Sequence, residues 1–229
     1  MAAPDTKPIR VFLLDDHRSI LWGLEKLIES ATPAMRVVGS ATNCGDALKL
    51  LAGAAPDVIL LDMDLGAENG LDAIPQLMAE SAARILILTG LRDKTLLDQA
   101  VLAGAYGVVE KEATAETILT AIARVHEGQL WLDRATTGRI FVEFSRAGAA
   151  SAADPEQQGI ATLTNREREI IAATVTHVGA TAKVIAAELL MSEHTLRNHL
   201  TSIYDKLGVV NRLGLFAYAH QHGLDTLSS

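Results

Sequence analysis

The chain has little of several features that mark other classes of protein. Cys44 is its single cysteine among 229 residues, so no internal disulfide can form, and we expect a reducing compartment, the cytoplasm. No apolar run in the sequence approaches the roughly 20 residues that a membrane-spanning helix needs. The segment from Met1 to Pro8 lacks the apolar region of a secretion signal. We therefore expect no membrane partner.

Positive charge is also scarce, and the formal net charge is −8. Residues 1–130 carry 11 basic and 18 acidic side chains, whereas residues 161–229 carry 6 of each. The acidic excess therefore lies in the first part of the chain. The neutral balance of the last part argues against strong nonspecific binding to nucleic acid.

The most informative stretch runs from Val58 to Asp64, where an apolar run leads directly into the carboxylate of Asp62. A short apolar run that starts with β-branched residues is typical of a strand buried on both faces of a parallel sheet. The carboxyl ends of such strands open onto the crevice where α/β sheets bind ligands. Asp62 is therefore placed for chemistry, although a lone Asp in this position is also consistent with a simple turn.

Three further strand-like runs end in polar side chains. They are Ile9–Leu14 before Asp15 and Asp16, Arg84–Leu88 before Thr89, and Gly107–Val109 before Glu110 and Lys111. Adjacent carboxylates repel each other unless a cation or a proton relieves them. Because parallel strands end at one edge of a sheet, the set predicts an acidic metal pocket, a hydroxyl and a lone ammonium around Asp62. The alternative, a solvated turn at every strand end, explains the paired acids poorly.

Helical patterns alternate with these strands up to about Gly128. The fold class that we predict for residues 1–128 is α/β, a doubly wound five-stranded parallel sheet of the flavodoxin-like type. Residues 129–160 are predicted to be a linker, part of which can be helical. Its segment Ala147–Gly159 is rich in alanine, glycine and serine, a composition typical of flexible connections.

Residues 161–229 are predicted to form an all-α domain of four helices. Thr164 followed by Glu167 matches a capping box at the first helix start. Helix, short turn and helix follow across Ala182–Lys206, which is the order of a DNA-binding helix-turn-helix. Polar side chains are expected on the outward face of its second helix at His194, Arg197, Asn198, Thr201 and Ser202. Arg can bond guanine and Asn can bond adenine, although an ordinary solvated face is the alternative.

The two halves together resemble the NarL/FixJ family of two-component response regulators. In the first half the similarity lies in Leu13–His17, Leu60–Asp62, Leu88–Gly90 and Val109–Lys111, which match the acidic pair, phosphoacceptor, switch hydroxyl and lysine of a receiver domain. In the second half it lies in Leu163–Glu169, Ser192–His199 and Lys206–Val209, which match a LuxR-type helix-turn-helix.

The resemblance implies a transcription regulator rather than an enzyme, controlled by a phosphoryl group that a partner histidine kinase passes to Asp62. It implies Mg²⁺ bound by Asp16, Asp62 and the carbonyl of Asp64, with Asp15 holding a metal-bound water. Mg²⁺ prefers oxygen ligands and keeps several waters, so the acidic pocket suits it. Thr89 and Lys111 are implied to contact the phosphoryl oxygens.

For the second half, the resemblance implies contacts to DNA and a homodimer. Base contacts are implied for Arg197, Asn198 and Thr201, and phosphate contacts for Lys183, Thr195 and Arg212. We expect the dimer to form through the apolar side of the last helix, at Leu213, Leu215, Phe216 and Tyr218.

The sequence departs from the family pattern at positions that leave two alternatives open. Val108 occupies the usual aromatic switch position, and Tyr106 lies two residues earlier. The first alternative is therefore a receiver that dimerises and binds DNA without phosphorylation. The second is an Asp-dependent phosphatase that uses Asp62 and Asp64, in which Gly66 stands where such enzymes have a hydroxyl residue.

Overall fold

The computed structural model describes residues 7–31, 34–90, 93–150, 159–177 and 180–224, with the backbone alone for 144–150. The chain divides into two compact units, Met1–His126 and Glu127–Ser229, and each is described by itself. In the first unit the elements are β1 Ile9–Leu14, α1 Arg18–Glu29, β2 Met35–Ala41, α2 Cys44–Ala54, β3 Val58–Leu61, β4 Asp64–Leu65, β5 Glu68–Asn69, α3 Gly70–Glu80, β6 Arg84–Thr89, α4 Lys94–Leu102, β7 Gly107–Glu110 and α5 Ala115–His126. In the second they are α6 Arg134–Ala150, α7 Asn165–Thr176, α8 Ala182–Glu188, α9 Glu193–Leu207 and α10 Arg212–His222.

The first unit is built on a five-stranded parallel sheet in the order β2-β1-β3-β6-β7. Every residue of β3 and β6 is buried, as the apolar runs predict for strands covered on both faces. The core includes the inner-strand side chains of Phe12, Ile59, Leu61, Ile85 and Ile87. The predicted doubly wound, flavodoxin-like fold is confirmed.

The register of the sheet brings the polar strand ends together. Leu14 pairs with Leu61, and Leu61 pairs with Ile87. The residues that follow β1 and β3 therefore leave the sheet at the same edge. Thr89 pairs with Glu110 at this edge, one residue before Lys111. The backbone alone thus places the acidic, hydroxyl and ammonium groups on one side of the sheet.

In the described part of the second unit, the helices α7 to α10 follow the predicted order. The N–H of Glu167 donates to Oγ1 of Thr164 at 3.2 Å, and the N–H of Thr164 donates back to Oε2 of Glu167 at 2.8 Å. This is the predicted capping box, and it fixes the start of α7. Ile170, Leu196 and Ile203 are completely buried and join α7 to α9 through one core.

The stretch between the two predicted domains holds a separate helix, α6, within residues 129–160. Ile140 on this helix is 1% exposed, and Phe141 packs against Phe216 of α10 with the ring centroids 5.7 Å apart. Residues 151–158 of the predicted linker lie outside the described residues. The domain limits at 128 and 161 stay predictions. Among the described helices, none is both long and apolar enough to cross a membrane.

Candidate functional site

The strand ends of the first unit place an ammonium group between two buried carboxylates. Nζ of Lys111 lies 2.6 Å from Oδ2 of Asp62 and 2.8 Å from Oδ2 of Asp15, and both acids are 3% exposed. Backbone hydrogen bonds hold Asp62 and Lys111 in place. The N–H of Asp62 donates to Leu14 at 2.8 Å, and the N–H of Lys111 donates to Thr89 at 2.9 Å.

The electrostatics of this cluster follow from burial and from mutual pairing. Burial raises the pKa of Asp62 above its usual value, against the hydrogen bonds that its carboxylate accepts from Lys111 and from the N–H of Asp64. For Lys111, burial acts to lower the pKa, but the hydrogen bonds and charges of Asp15 and Asp62 outweigh it and raise the pKa. Lys111 is therefore a fixed cation beside Asp62.

Among the described residues, one group of side chains could hold a metal ion. Asp15, Asp16, His17 and Asp62 each offer a ligand atom, and these atoms lie within 4.8 Å of one another. Oδ1 of Asp16 is buried without a hydrogen bond, and its close neighbour is Nδ1 of His17 at 2.6 Å. Three convergent carboxylates are the ligands that a hard divalent cation prefers, so the set fits Mg²⁺.

His17 was missed as a member of this group by the sequence analysis. Its N–H donates to Oδ1 of Asp15 at 2.8 Å, and its ring meets Oδ1 of Asp16. The available signal was its place directly after the two acids, since imidazole is a common metal ligand. The side chain of Asp64 lies outside the group and accepts a hydrogen bond from Gly66 at 3.2 Å. A metal contact from the Asp64 carbonyl stays a prediction.

The loop after Asp62 is more ordered than a simple turn. Asp64–Leu65 and Glu68–Asn69 pair as a short antiparallel hairpin. Oε2 of Glu68 accepts a hydrogen bond from the N–H of Cys44 at 2.8 Å, which ties the hairpin to the start of α2. This contact supports the hairpin that carries the segment Leu65–Ala67.

Gly70 is a second residue that the sequence analysis missed. A Cβ built on Gly70 would lie 2.5 Å from the carbonyl oxygen of Asp62 and 2.7 Å from Cα of Met63. Its N–H donates to the carbonyl of Met63 at 2.9 Å. Only glycine allows the start of α3 to approach the backbone of the candidate phosphoacceptor this closely.

Thr89 is 1% exposed at the end of β6, at the same edge as Asp62. The aromatic group that usually accompanies such a threonine is absent from the position of Val108, which pairs with Ile87 in the sheet. Tyr106 does not replace it, because its ring lies 5.5 Å from the guanidinium of Arg84 at the start of β6. The Tyr106 ring thus lies beside the start of β6, whereas Thr89 ends that strand.

The second unit exposes most of the residues predicted to contact DNA. Lys183 on α8, and Thr195, Asn198 and Thr201 on α9, are exposed, and Arg197 is half-buried. Leu196, Ile203 and Leu207 form the opposite, buried side of α9. The N-cap of α9 is Ser192, whose Oγ accepts a hydrogen bond from the N–H of Thr195 at 3.0 Å. The helix therefore has a capped N-terminus and an exposed polar face.

Ser202 does not belong to that outward face. Its hydroxyl donates to Oε1 of Glu167 at 3.0 Å, and Nζ of Lys206 lies 2.7 Å from Oε2 of the same carboxylate. Although burial acts to raise the pKa of Glu167, the bonds from Lys206, Thr164 and Ser202 lower it to about 2. The capping box signalled part of this network, but its partners on α9 lie too far along the sequence to be found from spacing.

Arg212 and the predicted dimer residues are engaged inside the second unit. The guanidinium of Arg212 donates to the carbonyls of Ala180 at 2.5 Å and His177 at 2.8 Å, so a phosphate contact would have to replace these bonds. The residues predicted to form the dimer surface, apart from half-buried Phe216, are buried, with exposures of 7%, 0% and 9% for Leu213, Leu215 and Tyr218. Within the described residues, α6 and the helix core pack against this side of α10, so a dimer through these residues would have to displace those contacts, and the dimer surface stays a prediction.

An acidic strand-end pocket with a paired lysine, followed by a helix-turn-helix, defines a regulator that joins a receiver to a DNA-binding domain. Residues 11–123 match the response regulator receiver domain, and residues 161–219 match the bacterial regulatory proteins of the luxR family. The chain belongs to the LuxR-type two-component response regulators, which are transcription regulators.

Particular relatives cover nearly the whole chain. The transcriptional regulatory protein LiaR of Bacillus subtilis is 32% identical over 217 residues, which is 94% of this chain and 99% of LiaR. The DNA-binding transcriptional activator DevR/DosR of Mycobacterium tuberculosis is 32% identical over 213 residues, 92% of this chain and 94% of that protein. Among solved structures, the chain is similar to a two-component response regulator of the LuxR family from Aurantimonas sp. SI85-9A1, with 30% sequence identity and a TM-score of 0.53. The match covers 60% of this chain and 98% of that protein's chain.

Proposed function

We propose that Asp62 accepts a phosphoryl group from a histidine kinase and that this step controls dimerisation and sequence-specific DNA binding by the second unit. The observation that carries the proposal is the position of Lys111, whose ammonium lies 2.6 Å from Asp62 and 2.8 Å from Asp15. A buried carboxylate beside a fixed cation and two further acids has the groups that phosphoryl transfer requires.

The transfer uses the side chains in distinct roles. An oxygen of Asp62 attacks phosphorus, the bond from phosphorus to the donor's imidazole nitrogen breaks, and the electron pair leaves with the imidazole, which takes up a proton. Asp16 and Asp62 would hold Mg²⁺, with Asp15 contacting it through a water, and the bound ion would supply charge neutralisation. Lys111 exchanges its bond to Asp62 for a phosphoryl oxygen, and the hydroxyl of Thr89 donates to another.

The new group adds about −1.5 to −2 charges to the sheet edge. Such a change in charge is large enough to shift the equilibrium between two conformations of Lys111 and the neighbouring loops. The relative DevR/DosR is named a DNA-binding transcriptional activator, and this chain exposes Asn198 and Thr201 on the corresponding helix-turn-helix. We infer that α9 enters the major groove and that dimers bind paired half-sites about one helical turn apart.

A second candidate keeps DNA binding and omits the phosphorylation switch. Val108 supplies no aromatic ring to follow Thr89, and Tyr106 is held by Arg84. A receiver of this kind would serve as a constitutive dimerisation module. The phosphatase alternative has weaker support, since Asp64 turns toward Gly66 and stands outside the group around Asp62.

Incubation with Mg²⁺ and acetyl phosphate, followed by intact-protein mass measurement, separates the three functions. A stable mass gain of one phosphoryl group that is lost in Asp62→Asn supports the switch. The matched control is Asp64→Asn, which removes an exposed carboxylate two residues away and should retain the label. An unlabelled wild-type protein supports the dimerisation module, and continuous phosphate release that requires Asp62 supports the phosphatase.

DNA binding is tested by footprinting on duplexes selected from a random-sequence pool, with and without the phosphodonor. We expect protection of paired half-sites that strengthens on phosphorylation and is lost in Arg197→Ala. The control is Gln221→Ala, which changes an exposed residue near the end of α10. Failure of the wild-type protein to select any sequence would refute the DNA-binding function.

A further inference from the structure

The turn between α8 and α9 has regular hydrogen bonding around an unusual residue. The N–H of Leu190 donates to the carbonyl of Ala187 at 3.2 Å, and the N–H of Met191 donates to the carbonyl of Ala186 at 2.9 Å. These two bonds form a Schellman motif, which ends a helix with a residue in the left-handed conformation, usually glycine. Here that residue is Leu190, with φ of 54°.

Leu190 is unfavourable both in its backbone and in its side chain. A left-handed conformation brings Cβ close to the following carbonyl, which disfavours every residue except glycine and, to a lesser degree, asparagine and aspartate. Among the described residues, Ala55 and Leu190 are the two non-glycine residues with positive φ. The side chain of Leu190 is 93% exposed, more than any other large apolar side chain described. Its burial therefore contributes little to offset the backbone strain within the folded unit.

The turn does not need Leu190 for its own closure. The apolar contact that normally accompanies a Schellman motif comes from the next residue, Met191, which is half-buried and packs against the core. Leu190 thus points away from the core while Met191 points into it. The leucine side chain is available for a partner outside the unit.

The position of Leu190 identifies that partner. It lies two residues before Ser192, the N-cap of α9, whose first turn carries the exposed residues Glu193, His194 and Thr195. In a helix-turn-helix, the first turn of the second helix meets base edges while the first helix crosses the phosphate backbone. The connecting turn is therefore continuous with the proposed DNA surface. Because residues 161–229 carry as many acids as bases, contacts other than phosphate pairing have to supply much of the affinity.

We propose that Leu190 is a DNA-contacting residue that packs against an apolar group at the edge of the half-site bound by α9. The available groups are the methyl of thymine, which is the apolar group on base edges in the major groove, and the deoxyribose ring. The proposal rests on the proposed DNA-binding function and adds a specificity contact to it. The strain at Leu190 is then retained because the side chain acts in the complex and not in the free protein.

The test uses the full chain and the duplex that the wild-type protein selects from a random-sequence pool. Leu190→Ala and Leu190→Gly are each expected to bind this duplex about fivefold more weakly than wild type. Leu190→Ala keeps Cβ and does not add the backbone flexibility of glycine. Its loss of affinity therefore reports the leucine atoms beyond Cβ. If Leu190→Ala binds the duplex with wild-type affinity, the proposal is overturned. This holds even if the variant activates transcription less well, because the side chain would then contact a protein and not DNA.

The proposal also requires that stability and binding change in opposite directions. Leu190→Gly relieves the left-handed strain and is expected to raise the melting midpoint by about 3 °C while it weakens binding. The matched control is Ala55→Gly at φ of 39° in the first unit, which relieves strain of the same kind and should leave DNA affinity unchanged. A Leu190→Gly protein that melts later and binds as tightly as wild type contradicts the proposal.

Thymine replacement distinguishes the two apolar groups. Each thymine of the selected duplex is exchanged in turn for deoxyuracil, which lacks the methyl group. A methyl partner predicts one position where the exchange weakens wild type about fivefold and leaves Leu190→Ala unaffected. If no thymine position behaves in this way while Leu190→Ala still binds more weakly than wild type, the contact is assigned to deoxyribose. Failure of wild type to select any duplex refutes DNA binding itself and is thereby distinguished from failure of the contact.

Discussion

Glu167 and Lys206 form a mostly buried ion pair that joins the first and third of the four C-terminal helices, with Oε2 and Nζ 2.7 Å apart. The same carboxylate accepts the hydroxyl of Ser202 and completes the capping box with Thr164. One side chain therefore fixes both the start of α7 and the position of α9. The orientation of the candidate DNA-binding face depends on this carboxylate.

The first prediction concerns the pH dependence of this pair. The pKa of Glu167 is about 2 in the folded protein, against 4.5 for an unperturbed glutamate. The folded state therefore binds fewer protons than the unfolded state between these values, so ionised Glu167 stabilises the unit above pH 4.5 and loses this effect as the pH falls toward 2. We expect Glu167→Gln to lower the unfolding free energy by about 2 kcal/mol at pH 7.

Urea unfolding of wild type and Glu167→Gln across this pH range measures the effect. The difference between the two proteins should shrink as the pH falls, because the wild-type carboxylate becomes protonated. Glu169→Gln is the control, since that residue is 42% exposed and pairs with Arg166 within the same helix. Its effect should stay below about 0.5 kcal/mol. A pH-independent difference for Glu167→Gln would show that its charge is not the stabilising feature.

The second prediction concerns the close approach at Gly70. In Gly70→Ala the new methyl group meets backbone atoms of Asp62 and Met63, which cannot move aside as a flexible side chain would. We expect the receiver unit to lose about 1–3 kcal/mol of stability and Asp62 to be labelled more slowly by acetyl phosphate. Thermal unfolding and the time course of labelling measure the two effects.

Gly23 provides the matched control for that change. It lies in the middle of α1 with nothing within 4 Å of an added Cβ. Gly23→Ala should stabilise the unit by about 0.5–1 kcal/mol because alanine favours a helix interior. Equal labelling rates in wild type and Gly70→Ala would show that the approach of α3 has no part in positioning Asp62.

The third prediction concerns Lys111. Its replacement by methionine removes the cation that neutralises Asp15 and Asp62 and leaves two buried carboxylates facing each other. We expect the initial rate of labelling with acetyl phosphate and Mg²⁺ to fall about tenfold, since each 1.4 kcal/mol of lost transition-state stabilisation has this effect. Lys94→Met, an exposed lysine at the start of α4, should label at the wild-type rate. An unchanged rate in Lys111→Met would remove that residue from the transfer step.

The fourth prediction concerns the salt dependence of DNA binding. Lys183 is exposed at the start of α8, where a helix-turn-helix crosses the phosphate backbone. Lys183→Ala should weaken binding on all sequences alike and reduce the slope of log affinity against log salt by about 1 per monomer. The wild-type slope itself should be modest because the domain is electrically neutral. A slope that requires about eight phosphate contacts per monomer would contradict the proposed interface.

Much of the first unit was predictable because its signals are local. Wholly apolar runs such as Val58–Leu61 identify strands buried on both faces, and in a parallel sheet the ends of such strands must share one edge. The convergence of Asp15, Asp62 and Lys111 follows from these two facts. Helix starts such as Thr164 were predictable for the same reason, since a cap and its partner lie within one turn.

The features that the sequence did not reveal depend on contacts between distant segments. The pairing of Lys206 with Glu167 joins residues 39 positions apart, and Gly70 owes its importance to the backbone of Asp62. The same holds for α10, whose apolar residues were expected on a dimer surface. Local periodicity shows that Leu215 lies on an apolar face, but packing alone determines whether α6 or a second chain covers it.

Local chemistry along the chain therefore specified the strands of the parallel sheet, the helix starts and the polar residues that follow the strands. Three-dimensional packing specified which polar groups are paired, which apolar faces are covered and how closely two backbones approach. The physical reason is that backbone preference and hydrophobic periodicity act within a few residues, whereas ion pairing and close packing act through space between elements that the chain brings together. Leu190 shows both effects, since the local motif requires a left-handed residue and the fold leaves its side chain 93% exposed.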